Sequence, residues 1–100
     1  MDSKFLRLLG LAARAGKIVS GQDGVRIAVA KGKAHLLIVD AQSAPDSIKK
    51  AQALGRNANL PLVCVDADIG RLTGREGRKI AAVTDSGFAQ ALASAHNQQE

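Results

Sequence analysis

Residues 31–41 read Lys31-Gly32-Lys33-Ala34-His35-Leu36-Leu37-Ile38-Val39-Asp40-Ala41, and the four apolar residues at the centre decide the fold. A run of strand length with no polar alternation predicts a strand covered on both faces, as in a parallel strand under helices. Leu62, Val63, Cys64 and Val65 repeat the pattern. Between these strands, Ser43 and Pro45 open a helix that turns Ile48, Ala51 and Leu54 inward and Lys49, Lys50 and Gln52 outward.

Working outward, Phe5, Leu8, Leu9 and Ala12 follow the i, i+3, i+4, i+7 spacing of an amphipathic helix. Asp2 or Ser3 is expected to cap its start, and Gly16 to end it. Lys17, Ile18 and Val19 form a short strand, followed by a second helix from Gln22 to Lys31 with Val25, Ala28 and Val29 on one face and Gly32 closing it. After Asp66 a short piece through Ile69 and Leu72 leads to the loop Gly74-Arg75-Glu76-Gly77-Arg78-Lys79. Ile80 to Val83 resumes strand character, and Asp85 caps a last helix that buries Phe88, Ala89, Leu92 and Ala93, with a tail fraying from His96. Helices alternating with buried strands predict an α/β fold: a three-layer α/β/α sandwich around a mixed sheet of about four strands, residues 1–100 making one domain.

The chain of 100 residues has a net charge of +5, which favours a polyanionic partner through counterion release. Cys64 is the single cysteine, so no disulfide and no cysteine-based zinc site forms within the chain, and a reducing cytoplasm is the expected compartment. The N-terminal apolar stretch is broken by Arg7 and Arg14, which argues against a signal peptide or a membrane span.

Catalysis needs a nucleophile, a base and a group to hold developing charge, and no such set is legible. His35 and His96 have no evident partner, and Cys64 in an apolar run reads as an inert core thiol. Phe5 and Phe88, the only two aromatics, both fall on apolar helix faces, so stacking platforms for unpaired bases are lacking. The loop carrying Arg71, Arg75, Arg78 and Lys79 reads either as a secondary phosphate contact or as a solvated basic turn. Ser20-Gly21-Gln22-Asp23 likewise admits two readings. Its free helix N–H groups face a phosphate or base edge, or Ser20 or Gly21 caps the helix while Asp23 favours its positive end.

At this segment the sequence resembles a known family. Leu9-Gly10-Leu11-Ala12-Ala13-Arg14-Ala15-Gly16-Lys17-Ile18-Val19-Ser20-Gly21 is similar to the opening of YlxQ-type bacterial ribosomal proteins. The passage from Lys31 to Ala41, Pro61-Leu62-Val63-Cys64-Val65, and Ala82-Val83-Thr84-Asp85-Ser86-Gly87-Phe88-Ala89 resemble later parts of the kink-turn RNA-binding superfamily that includes archaeal ribosomal protein L7Ae. The resemblance implies a non-catalytic protein that grips sharply bent RNA without a cofactor or metal. By position, Gly21, Gln22, Asp23 and Gly24 match the segment that enters the widened groove, and Asp66, Ala67, Asp68 and Ile69 match the loop that covers flipped-out bases.

Ser20 and Arg26 complete the expected reading edge, with Lys17, Lys31 and Lys33 as phosphate contacts. Where many kink-turn binders carry Asn then Glu, this chain has Asp23 then Gly24, and Ile27 replaces a guanine-contacting lysine. Arg26, one position earlier, points about 100° away on an ideal helix. The expected partners are structured RNA, kink-turn or ribosomal, and ribosomal proteins, bound by a monomer with no membrane contact. The rival readings are a protein-interaction module docking on a ribosomal or translation partner, and a small hydrolase or ligand sensor.

Overall fold

Residues 3–97 are described by the structure, a computed structural model. In chain order the elements are α1 (Ser3–Arg14), β1 (Ile18–Ser20), α2 (Gln22–Ala30), β2 (Leu36–Asp40), α3 (Pro45–Ala58), β3 (Leu62–Val65), α4 (Ile69–Leu72), β4 (Ile80–Val83) and α5 (Ser86–Asn97). The four strands form one sheet in the order β1-β4-β2-β3. Only β2 and β3 run parallel; β4 lies antiparallel to both β1 and β2. The sheet is therefore mixed, as expected.

Side chains alternate across the sheet and feed two separate cores. Leu36, Ile38, Val63, Val65, Ala81 and Val83 meet Phe5 and Leu9 of α1, Ile69 of α4 and Leu92 of α5 on one side. Leu37 and Ala82 meet Val25 and Ala28 of α2 on the other, with Leu54 of α3 packed against them. Every residue of β2 is buried, which is why its sequence shows no alternation.

The reading of β3 as a strand covered on both faces requires correction, although it does run parallel to β2. It is an edge strand: Val63 and Val65 are buried, Leu62 is half-buried, and Cys64 is exposed. With β2 on one side only, and with α3 leaving Cys64 uncovered, the thiol lies at the surface rather than in the core. The last helix also differs, since α5 continues through Asn97 instead of fraying at His96, whose ring packs edge-on to Phe5 at 5.9 Å between centroids. Phe88 is half-buried, while Ala89, Leu92 and Ala95 form the buried stripe. The cap expected at Asp2 lies outside the described residues, and Ser3 is already helical. At α3, Ala44 takes the N-cap position with Pro45 just inside it.

Strand direction gives the sandwich two distinct ends. β1 leads into Gly21, β2 and β3 end at Asp40 and Val65, and β4 begins at Ile80, all at one end, hereafter the glycine end. Lys17, His35, Pro61 and Thr84 lie at the opposite end. The edge position of Cys64 predicts that a water-soluble aromatic disulfide titrates one thiol in the native protein without denaturant. Labelling that waits for unfolding would return Cys64 to the core.

Candidate nucleic-acid interface

Gly21 joins β1 to α2 with φ 91° and ψ 155°, a conformation open to glycine and strained for any L side chain. Its N–H donates to Ile80 O at 2.9 Å, and its carbonyl accepts from Val25 N–H at 3.0 Å. The helix therefore starts immediately, and the N–H groups of Gln22, Asp23 and Gly24 have no intrahelical acceptor. No side chain caps this terminus; Gln22 and Asp23 are exposed beside it.

The hydrogen bond to Ile80 carries the segment before β4 against the glycine. A Cβ placed on Gly21 would lie 2.8 Å from Nη1 of Arg78, so the guanidinium rests directly over the start of α2. Sequence reasoning offered Arg78 only as one of the basic residues of a loop read either as a secondary phosphate contact or as a solvated turn, and left it outside the Gly21 edge. Its membership depends on β1 pairing with β4, a contact between distant parts of the chain that no local pattern signals. The 74–79 turn is itself held close: Arg75 N–H donates to Gly70 O at 2.7 Å, and a Cβ on Gly70 would meet Arg75 O at 2.5 Å.

Gly24 has a separate packing reason. A Cβ there would approach Cγ1 of Val19 to 2.6 Å, so the close seat of α2 on β1 excludes a larger residue. Asp23 and Arg26, one turn apart, form an exposed ion pair, which partly neutralises both. Ile27 follows on the open side of the helix and is 54% exposed.

A groove of about 830 Å³ opens between the start of α2, α3 and residues 77–80. Arg26, Lys50, Arg78 and Lys79 bring positive charge to it, while Ser43, Ser47 and Asn57 bring neutral polar groups. Lys79 lies 3.9 Å from the buried carboxylate of Asp40, whose other oxygen accepts from Gln42 N–H at 2.8 Å. Ser43 is 7% exposed, and its Oγ is buried without a hydrogen-bond partner. An unpaired buried hydroxyl costs free energy that a polar atom entering the groove would recover.

The second expected segment lies at the same end, across three inter-strand steps of about 4.8 Å each. Asp66 is exposed and accepts from Gln42 Nε2 at 3.1 Å. Asp68 caps α4 by accepting from Arg71 N–H at 3.1 Å, and Ala67 is half-buried against the core. Ile69 differs from its neighbours. At 0% exposure it is a core residue, and its side chain is withdrawn from any surface contact.

Lys17, Lys31 and Lys33 are not brought to this site. They are exposed, but Lys17 precedes β1, and Lys31 and Lys33 follow α2, so all three lie at the far end of the sandwich. Nine helical residues at about 1.5 Å each place Lys31 roughly 13 Å along the axis from Gln22. Among the described residues no cluster of three or more His, Cys, Asp or Glu side chains is arranged to hold a metal. No helix among them is long and apolar enough to cross a membrane.

Sandwich, glycine junction and groove together define a small α/β/α domain of ribosomal-protein type. The chain belongs to the ribosomal protein L7Ae/L30e/S12e/Gadd45 family, whose model matches residues 3–93. It is similar to the RNA-binding protein YlxQ of Bacillus subtilis (strain 168), with 38% identity over 87% of this chain and 89% of that protein. The RNA-binding protein YlxQ of Enterococcus faecium is 28% identical over 87% of this chain and 85% of its own length. A solved Bacillus halodurans protein of unknown function superposes with a TM-score of 0.88 at 32% identity, covering 95% of this chain and 98% of its own. The Giardia lamblia 15.5kD RNA binding protein, at 20% identity and TM-score 0.74 over 95% of this chain and 83% of its own, shares the fold.

Gly70→Ala is predicted to destabilise the protein by about 2–3 kcal/mol in urea unfolding, because the clash is with backbone atoms of the 75–78 turn. Gly21→Ala meets only a movable guanidinium and a strained φ, and is predicted to cost about 1–2 kcal/mol. Equal and negligible losses would contradict the close approach of the turn.

Proposed function

We propose that this protein binds structured RNA of the kink-turn type, without catalysis or cofactor, as a cytoplasmic component of the ribosome or of translation. The observation that carries the proposal is the Gly21 junction. An uncapped helix start with free N–H groups lies beside the Arg78 guanidinium, at the mouth of an open groove. Such a terminus admits a phosphate or base edge that a side chain at Gly21 would exclude. Two relatives described as RNA-binding proteins support the partner class.

In this proposal Ser20, Gly21, Gln22, Asp23, Gly24 and Arg26 form the edge that enters the bent groove of the RNA. Asp23 accepts from a guanine edge, and Gln22 both donates and accepts. Arg78 supplies the fork of donors that Ile27 does not. Asp66, Ala67 and Asp68 cover the bases turned out of the bend, and the buried hydroxyl of Ser43 meets a polar atom seated in the groove.

The test is a gel-shift comparison of a kink-turn hairpin with a straight duplex of equal length. Clear preference for the hairpin is expected, and equal binding would refute kink-turn recognition. Gln22→Ala and Arg26→Ala are each predicted to weaken hairpin binding by about 1 kcal/mol, roughly fivefold, and Arg78→Ala by about tenfold. All three positions are exposed, so melting temperatures are expected to stay within about 2 °C of the parent. Unchanged isotherms for all three would move the site elsewhere. Binding that hardly responds to salt would point instead to an apolar protein interface.

A further inference from the structure

We propose that the end of the sandwich opposite Gly21 is a second, separate RNA-binding surface, on which Lys17, Lys31 and Lys33 hold the phosphate backbone of another duplex segment. The proposal rests on RNA being the partner class, but not on the kink-turn as the preferred form.

Charge is distributed unequally between the two ends. Asp23, Asp40, Asp46, Asp66, Asp68 and Glu76 all lie at the glycine end, in first helical turns, at strand ends or in the 66–79 segment. The ion pairs of Asp23 with Arg26 and of Asp40 with Lys79 are there too. At the far end Asp85 is the single acidic residue among those described, and its Oδ2 accepts from Phe88 N–H at 2.8 Å. The far end thus carries a net positive charge, with that one carboxylate among its lysines and arginines.

The backbone brings Lys17 and the 31–35 connection to the same end of the sheet. Ile18 and Leu36 flank Val83 on adjacent strands, so Lys17 and His35 emerge either side of Thr84, about 10 Å apart. Thr84 N–H donates to Lys17 O at 2.9 Å, and Lys33 N–H donates to Ala28 O at 2.9 Å, which fixes the backbone on both sides of that gap. Lys17, Lys31 and Lys33 are all exposed, and none enters an ion pair among the described residues.

A local explanation covers part of the charge. Arg14 and Arg56 occupy last helical turns and answer the negative ends of α1 and α3, as Lys31 does at the C-cap of α2. Lys17 and Lys33 also close helix ends, their N–H groups donating to Ala12 O of α1 and Ala28 O of α2, so the partial charges of those ends offset part of their charge. Among the described residues Asp85 is the one carboxylate set against Arg14, Lys17, Lys31, Lys33 and Arg56. Long, flexible ammonium groups with no aromatic between them suit a regular phosphate backbone and carry no base readout. With one RNA element at each end of a body 28 × 26 × 26 Å across, the protein would bridge two segments.

The experiment uses the full chain saturated with unlabelled kink-turn hairpin, to which a labelled straight RNA duplex is titrated. The loaded parent is expected to bind the duplex. The combined Lys17→Ala, Lys31→Ala and Lys33→Ala variant is expected to lose about tenfold or more of that affinity while binding the hairpin within about twofold of the parent. Its log–log salt slope for the duplex should fall by roughly 2 to 3. Equal duplex binding by parent and variant, or complete displacement of duplex by hairpin, would overturn the proposal. Tighter binding of poly-glutamate than of duplex would assign this end to an acidic protein instead. Should the hairpin itself not bind, the same titration of free parent and variant decides whether the far end holds duplex, and the failure belongs to the kink-turn proposal alone.

Discussion

The hydrogen bond from Gly21 N–H to Ile80 O is the constraint on which the site depends. It ties the first strand's exit to the entry of the last strand. With Asp40 N–H donating to Lys79 O on the other side, it places β4 between β1 and β2. The geometry of the candidate site at the glycine end follows from that insertion. Residues 77–79 are delivered against the start of α2, Arg78 covers the glycine, and the groove acquires its basic wall. A larger residue at Gly21 would strain the backbone and displace the guanidinium together.

Glycines at this end work as spacers at different depths. Gly24 lets α2 settle on Val19, and Gly70 lets the 75–78 turn fold back on α4. Both are demands of packing and apply whatever the ligand. The Gly24 contact also bears on a departure from the kink-turn pattern, since the Cβ of a glutamate after position 23 would press on Cγ1 of Val19 and one of the two would have to shift. In the proposed complex, recognition would rest less on the helix face than on its first N–H groups and on Arg78, brought from another element.

Much of the fold was legible because burial writes itself into residue type. The unbroken apolar run of β2 and the amphipathic spacing of α1 and α2 led to the right layers. Cys64 was misplaced because an apolar four-residue run looks alike in a central strand and at an edge, where only one neighbour is present. The glycine-led start of α2 was visible locally, whereas Arg78 was not, since its place requires the non-sequential order of the sheet. Lys31 stands apart from Gly21 because of a simple length: a helix that starts at one end of a small sandwich delivers its last residue to the other.

The central claim is that bent RNA meets the protein at the Gly21–Arg78 junction. Its most direct test is amide shift mapping of nitrogen-labelled protein with one equivalent of kink-turn hairpin. The largest changes are expected at Gly21, Gln22, Asp23 and Arg78, with Lys31 and Lys33 little affected. Perturbations concentrated at the far end, with the Gly21 junction silent, would contradict it.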